Sequence, residues 1–430
     1  MTSDRPAIYL HIGAMKTGTT FVQQKLIANR DTLERAGVLF PGPRWSQQVR
    51  AVQEAVRLDR KDPRIREEAR GAWQAMADEM LGHRGTSILS MEFLSFARRR
   101  QARRVIGSLA AADVDVVLTV RDISAIIPAQ WQTSVHNGSQ VSWPDYLRGV
   151  RKSVGWRARW GHYLPDSALR SFLQAADIPR MLDVWQRLVP RGRMHVVTVP
   201  PPGSEPGLLW RRFATVVGLD PDACSEPPKK TNASIGFAST ELLRRVNLEL
   251  GRQRQTDYNN TVKNFLALES LGARAGLEGR ATLDDATRAF AVGWNRRVRE
   301  AITSSGVHVV GDLDDLPLSV GSDPWGFRAA PDEGQVLDAA ALAVEAMDDL
   351  VRRRTRRRER REGGIELPTD EPIVASSDRW ADAADPVGAA AAEIAELCLT
   401  AMEHRRHLLA LRGAHAEGAD DDGPEEGDEG

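Results

Sequence analysis

A chain of 430 residues with 42% hydrophobic residues is long enough for one large α/β domain with an appendage, or for two to three small domains. Its formal net charge of −1 excludes an overall field that would attract nucleic acid or a membrane surface, so neither is expected as a partner. Two cysteines, Cys224 and Cys398, argue against a disulfide framework, and no apolar run is long enough for a signal segment or a membrane span, so we expect a cytoplasmic protein.

The first element is a short apolar strand followed by a loop rich in glycine, lysine and threonine. The run IYLHI has no helical period, the loop GAMKTGTT follows, and apolar residues return at helical spacing from Phe21 onwards. This pattern predicts a helix that begins near Thr19 or Thr20. Backbone N–H groups and the positive end of the helix dipole converge there, and Lys16 adds a full charge. The stretch therefore predicts a site for phosphate or a similar oxyanion.

This loop differs from the nucleotide-binding P-loop, G-x-x-x-x-G-K-[ST]. Gly13 and Gly18 have the right separation, but Thr19 and Thr20 follow the second glycine, and Lys16 precedes it. The loop is thus a relative of the P-loop with its lysine moved. An ordinary strand–loop–helix connection is the alternative.

Later apolar runs predict strands that alternate with helices. The strongest is 114–120, a near-continuous β-branched run typical of a parallel strand buried on both faces, and further strands are predicted near 87–89, 194–199 and 307–310. The alternation predicts a three-layer α/β fold with a mainly parallel sheet. Ligands in such folds bind beyond the carboxyl ends of the strands, so Glu92 and Arg121 are expected to share one rim with the loop. The alternatives are a solvated or helix-capping Glu92 and a structural ion pair of Arg121 with Asp122 or a neighbour.

Two stretches carry a resemblance to a known family. HIGAMKTGTTFVQ resembles the loop of the PAPS-dependent sulfotransferases, in which a K-[ST]-G-T-[TS] run holds the 5′-phosphosulfate of 3′-phosphoadenylyl sulfate (PAPS). VLTVRDISAIIPAQWQ resembles the family's second motif, in which a strand-ending Arg and a Ser on the next helix bind the 3′-phosphate. Ala129 stands where that Ser is common, and Gln132 and Ser134 are candidates to replace it. The resemblance covers roughly residues 7–315 and implies the P-loop-like sulfotransferase fold.

The resemblance also implies roles for individual residues. The residues it assigns to the donor are Gly13, Lys16, Thr17, Gly18, Thr19, Thr20 and Arg121, with Lys229, Asn232 and Ser234 in a later polar loop. Glu92 occupies the strand-end position of the catalytic base, with His11 and His136 as competitors; His11 itself is interpreted as a core residue behind the loop.

The expected reaction is in-line transfer of a sulfuryl group from PAPS to a hydroxyl or amine of a small-molecule, sugar or lipid acceptor. Glu92 removes the acceptor proton, Lys16 stabilises the leaving bridging oxygen, and no metal is required. A kinase or NTPase using the loop for ATP, and a non-catalytic nucleotide-binding or interaction module, are the alternatives.

Composition changes after residue 320. We expect a catalytic domain over 1–320, a helical extension over 321–412 with a linker at 363–386, and an acidic, disordered tail over 413–430. Two amphipathic helices in the extension predict association with a second copy or a partner protein. The arginine-rich run at 352–362 is interpreted as a solvated helix end, or one paired with the acidic tail, in preference to a nucleic-acid site. Tryptophans are frequent over 131–212, where plain packing is favoured over an acceptor pocket.

Overall fold

The computed structural model describes residues 5–58, 63–154, 167–228, 235–319, 321, 326–362, 371 and 373–419, with side chains except those of 63–65 and 412–419. None of the helices in these ranges combines the length and the apolar character needed to cross a membrane.

A single sheet of six parallel strands confirms the predicted α/β class. The strand order is β2-β3-β1-β4-β5-β6, and every neighbouring pair runs parallel. The strands are β1 Ala7–His11, β2 Val38–Leu39, β3 Thr86–Ser90, β4 Asp113–Val120, β5 Met194–Thr198 and β6 His308–Val310.

Helices connect and flank the strands. The α-helices of the described residues are α1 Thr19–Ala28, α2 Arg30–Arg35, α3 Trp45–Ala55, α4 Pro63–Glu68, α5 Ala72–Gly82, α6 Arg99–Ser108, α7 Ile123–His136, α8 Trp143–Arg151, α9 Ser167–Ala176, α10 Ile178–Trp185, α11 Leu208–Val217, α12 Phe237–Leu250, α13 Gln255–Tyr258, α14 Asp285–Ser305, α15 Glu333–Arg361 and α16 Pro386–Ala419. A π-helix, Asn259–Ser270, continues α13. Helix α1 begins at Thr19, as the sequence predicts.

Strand order places the carboxyl ends of β1 and β4 at a special position. From β1 the chain goes to β2 and β3 on one side, then crosses to β4, β5 and β6 on the other. In open parallel sheets, ligands bind in the crevice where the strand order reverses in this way. The Ile12 amide donates to the Val117 carbonyl, so the loop after β1 starts directly beside β4.

The core of the sheet follows from the β-branched strands. In β4 every residue after Asp113 is buried, which confirms the prediction of a strand covered on both faces. On one face, Val117 and Val197 pack with Val22 and Leu26 of α1 and Phe213 of α11. This packing fixes α1, and with it the loop, against the sheet.

The chain forms two compact units that do not follow a boundary at residue 320. The first comprises 1–130, 147–232 and 283–327, and the second comprises 131–146, 233–282 and 328–430. In the second unit α15 and α16 pack against each other and against α12. The two late helices thus pack on a helix from the middle of the chain.

Tryptophans of the 131–212 region lie mainly in these cores. Trp131, Trp143 and Trp185 are among the largest fully buried side chains. Trp131 packs on Trp143 and on Phe237, with ring centroids 5.1 and 5.7 Å apart. Packing accounts for these three rings, whereas Trp156 and Trp160 lie outside the described residues.

Candidate functional site

The loop between β1 and α1 has an unusual backbone. Gly13, Lys16 and Gly18 all have positive φ, at 63°, 64° and 81°. A Cβ at Gly13 would collide with the Thr19 methyl group, and one at Gly18 would collide with Leu209. Lys16 takes the left-handed conformation although it has a side chain, which costs roughly 1–2 kcal/mol. Such strain persists only where the surroundings hold the backbone, and it concentrates at functional sites.

The side chain of Thr17 points into the protein and forms hydrogen bonds within the loop and to the sheet. Its hydroxyl donates to the Ala14 carbonyl at 2.6 Å, accepts from the Ala14 amide at 3.2 Å and lies 2.6 Å from the Thr119 hydroxyl of β4. The side chain is fully buried. The Thr17 hydroxyl therefore fixes the loop to the sheet, and the contribution left for a bound anion is that of its backbone N–H.

His11 joins three strands beneath the loop. Nδ1 lies 2.8 Å from the Ser90 hydroxyl of β3, and Nε2 lies 3.3 Å from the Thr119 hydroxyl of β4. Complete burial lowers the pKa of His11 to about 3, so the imidazole is neutral at ordinary pH. Its placement agrees with a core histidine, and both ring nitrogens already face partners.

Glu92 stands beside the loop. It begins a short 3₁₀ helix after β3, and its Cβ lies 3.2 Å from the position that a Cβ on Gly13 would take. The amide of Gln23 donates to Glu92 Oε2 at 2.8 Å and to the Ser90 carbonyl at 3.1 Å. Gln23 is only 2% exposed, so this donor is fixed. The carboxylate is half-buried, oriented and next to the loop glycine.

Arg121 meets the loop from the end of β4. Its Nη1 donates to the Lys16 carbonyl at 3.3 Å. Asp122 accepts from the Ser124 amide at 3.0 Å and from the Asn295 side chain at 2.7 Å, and it thereby caps the start of α7. Arg121 thus contacts the loop after β1, whereas its neighbour Asp122 caps α7.

The remaining predicted residues are distributed unevenly. Thr19 and Thr20 open α1, where Thr19 is buried and Thr20 is half-buried. Lys229, Asn232 and Ser234 lie outside the described residues. Ala129 lies on α7 in the first unit, whereas Gln132 and Ser134 belong to the second, where the Gln132 amide donates to the Ile235 carbonyl at 2.8 Å.

Sequence reasoning missed Gln23 and a pocket beside α1. Gln23 has a usable signal, because it is a polar residue at an inward position of α1, next to Val22 and followed by Leu26. The pocket has a volume of about 300 Å³ and is lined by Lys25, Gly207, Trp210, Arg211, Pro221, Asp222, Cys224 and Ser225. Phe21, one helical turn before Lys25, is 36% exposed. Burial raises the pKa of the Cys224 thiol, so the cysteine contributes apolar surface and no thiolate.

No group of three or more His, Cys, Asp or Glu side chains that could hold a metal ion occurs in the ranges that the structure describes. Comparisons with protein-family models, with curated proteins and with solved structures found no match.

Proposed function

We propose that this protein is a PAPS-dependent sulfotransferase with a P-loop-like fold. The observation that carries the proposal is the juxtaposition, at the switch point of a parallel sheet, of a strained lysine loop, a helix N-terminus, an arginine and an oriented carboxylate. Lys16 lies in the loop, Arg121 donates to the Lys16 carbonyl, and Glu92 abuts Gly13. Such a set fits transfer of a sulfuryl group from an anionic phosphosulfate, because positively charged groups and a carboxylate lie on the same rim.

The phosphosulfate binds at the loop through charge and backbone donors. The amides at the start of α1 have no intrahelical acceptor and sit at the positive end of the helix dipole. Gly18 holds the left-handed backbone conformation at the start of α1, where a residue with a Cβ would strike Leu209. Arg121 supplies a charge-assisted contact to a second phosphate, the 3′-phosphate that distinguishes PAPS from adenosine 5′-phosphosulfate.

Sulfuryl transfer then balances without a metal or a redox partner. The acceptor oxygen or nitrogen attacks sulfur while its proton passes to a Glu92 carboxylate oxygen. The bond between sulfur and the bridging oxygen breaks, and its electron pair leaves with 3′,5′-adenosine bisphosphate (PAP). Lys16 and the loop amides stabilise the charge that grows on the bridging oxygen.

The neighbouring pocket suits the nucleoside part of the donor. Trp210 contributes aromatic surface to its lining, and Lys25 and Arg211 add positive charge beside Asp222. Its volume of about 300 Å³ lies at the lower end of the range for ligand pockets, which matches a base or ribose better than the complete donor.

Nucleotide selectivity tests the proposal. By calorimetry we expect PAP to bind in the absence of magnesium, and ATP with magnesium to bind far more weakly. The reverse preference would indicate a kinase or NTPase, and binding of neither would indicate a non-nucleotide module. Lys16→Ala should lower the sulfuryl-transfer rate by roughly a hundred- to thousand-fold, about 3–4 kcal/mol, with a smaller loss of PAP affinity. Arg100→Ala, an exposed arginine on α6, is the matched control and should leave both unchanged.

A further inference from the structure

The arginine-rich end of α15 lies in the second compact unit, far in sequence from the loop. Residues 352–362 contain eight arginines against two glutamates. Arg353, Arg357 and Arg361 follow one another at four-residue spacing and are all exposed; we call these three residues the arginine stripe.

Helices α15 and α16 run parallel, which places both of their C-terminal ends together. Arg354 of α15 donates to the Ala401 carbonyl of α16, and Thr355 lies 3.1 Å from His404. Further along, Glu362 lies 2.6 Å from His407. Residues further along α15 therefore contact residues further along α16, so the two helices run in the same direction. The segment between them returns alongside α15, where the amides of Ile373 and Ala375 donate to Asp348 and Glu345.

Among the described residues, this shared end concentrates positive charge: Arg405 and Arg406 of α16 lie there with the arginines of α15, and Glu362 and Asp257 pair with some of them. Arg352 and Arg353 pair with Asp348 and Asp349, one turn earlier. Burial lowers the pKa of Arg354, and repulsion from Arg405, Arg353 and Arg357 lowers it further. The pKa of His404 is also lowered, first by burial and then by Arg358 and Arg354. The arginines at this end therefore repel one another and favour an additional anion.

The chain itself supplies an anion that starts at the same end. Helix α16 continues from His407 to Ala419, about 18 Å further along its axis. The residues that follow, 420–430, contain seven acids and no basic residue. Eleven residues reach about 36 Å when extended, whereas the level of Arg353 lies about 28 Å back along the helices. The tail is therefore long enough to reach the arginine stripe from the end of α16, and its charge is opposite to that of the stripe.

We propose that the acidic tail, residues 420–430, occupies the arginine stripe of α15 and shields it from external polyanions. The contact is electrostatic, so it weakens as salt screens charges beyond about 10 Å. Its consequence is that the basic end of this unit does not capture nucleic acid or other polyanions while the tail is present.

A variant in which all seven tail acids are replaced by Asn or Gln tests this, with a short mixed-sequence DNA duplex as the polyanion probe. At low salt we expect the neutral-tail chain to bind the duplex at least about tenfold more tightly than the native chain. Adding Arg357→Gln and Arg361→Gln should abolish the gain and reduce the slope of log affinity against log salt by about two. The matched control adds Arg100→Gln and Arg103→Gln on α6 of the first unit, and it should retain the gain.

Equal duplex affinity of the native and neutral-tail chains would overturn the proposal, because the stripe would then be open to external polyanions already. Loss of the gain in the α6 control, with retention in the α15 variant, would show that the tail covers a different surface. A chain ending at Ala419 repeats the comparison without relying on the substituted tail.

Discussion

The two compact units differ in how their key contacts are encoded along the chain. In the first, the groups around the loop are placed by strand ends: His11 ends β1, Ser90 ends β3, and Thr119 lies near the end of β4. In the second, contacts join helices from three separate segments, such as Trp131 with Phe237 and Arg405 with Asp257. A parallel sheet gathers residues by a general rule, whereas an assembly of helices depends on which faces happen to match.

The largest effect is expected when α15 and α16 are removed from the second unit. An independent domain over 1–320 would stay soluble and bind PAP in a chain that ends after Leu318, but α15 and α16 pack against α12 in the structure. Removing them should expose buried side chains of α12 at about 1.5–3 kcal/mol for each large one. We expect aggregation in size-exclusion chromatography and loss of a cooperative thermal transition. A monomeric truncated protein with a cooperative transition and native PAP affinity would restore the boundary near 320.

A second prediction concerns the base of the first unit. Glu92→Gln retains an oxygen that can accept from Gln23 but cannot take up the acceptor proton. The transfer rate should fall by roughly a hundred- to ten-thousand-fold with PAP affinity little changed. The acidic limb of the pH–rate profile should vanish with it. Full activity in this variant, together with loss in His136→Ala or His11→Asn, would assign the base to a histidine.

A third prediction concerns selectivity for the 3′-phosphate. Arg121→Ala removes a charge-assisted contact, typically about 1.5–3 kcal/mol, so PAP should bind roughly ten- to hundred-fold more weakly. Adenosine 5′-phosphosulfate, which lacks that phosphate, should be affected much less. Equal weakening of both ligands in calorimetry would make Arg121 a residue that only supports the Lys16 backbone.

A smaller effect is expected at Gln23, a positioning residue that acts through Glu92. Gln23→Met keeps the side-chain length but removes the amide that donates to Glu92 and to Ser90. We expect roughly a tenfold lower rate with little change in PAP affinity, since one hydrogen bond is worth about 1 kcal/mol. A rate loss matched by an equal loss of PAP affinity would show that Gln23 supports the fold alone.

The last prediction concerns the acid sensitivity of the first unit through His11. Burial lowers its pKa to about 3 from an ordinary 6.5, so between these values the unfolded chain binds a proton that the folded chain does not. The free energy of unfolding therefore keeps this contribution in full above pH 6.5 and decreases by about 1.4 kcal/mol for each pH unit between 6.5 and about 3. His11→Asn should remove one proton from this dependence in urea titrations at several pH values. An unchanged slope would mean that His11 takes up its proton without unfolding.

Local pattern predicted much of the first unit. The start of α1 at Thr19, the buried strand β4 and the strands β3, β5 and β6 all follow from apolar runs and turn residues. Gly13 and Gly18 were candidates because of their spacing, and both indeed have positive φ. The left-handed conformation of Lys16 was not predictable, because nothing local requires it; the hydrogen bond from Arg121, a residue 105 positions later, contributes to holding it.

The sequence by itself determined the strand–loop–helix and the residues that follow β3 and β4, because periodicity and turn chemistry act over a few residues. It also determined that α15 and α16 have apolar faces. Only the tertiary structure decided that Thr17 turns inward to Thr119 and that Gln23 holds Glu92. It alone decided that α12 packs on the two late helices and that these run parallel, so that the arginine stripe and the C-terminal part of α16 lie toward the same end. The pattern of apolar residues in the sequence indicates that a helix face is buried. It does not identify the surface that covers this face, because that surface is formed by residues far along the chain and is selected by complementary shape and charge.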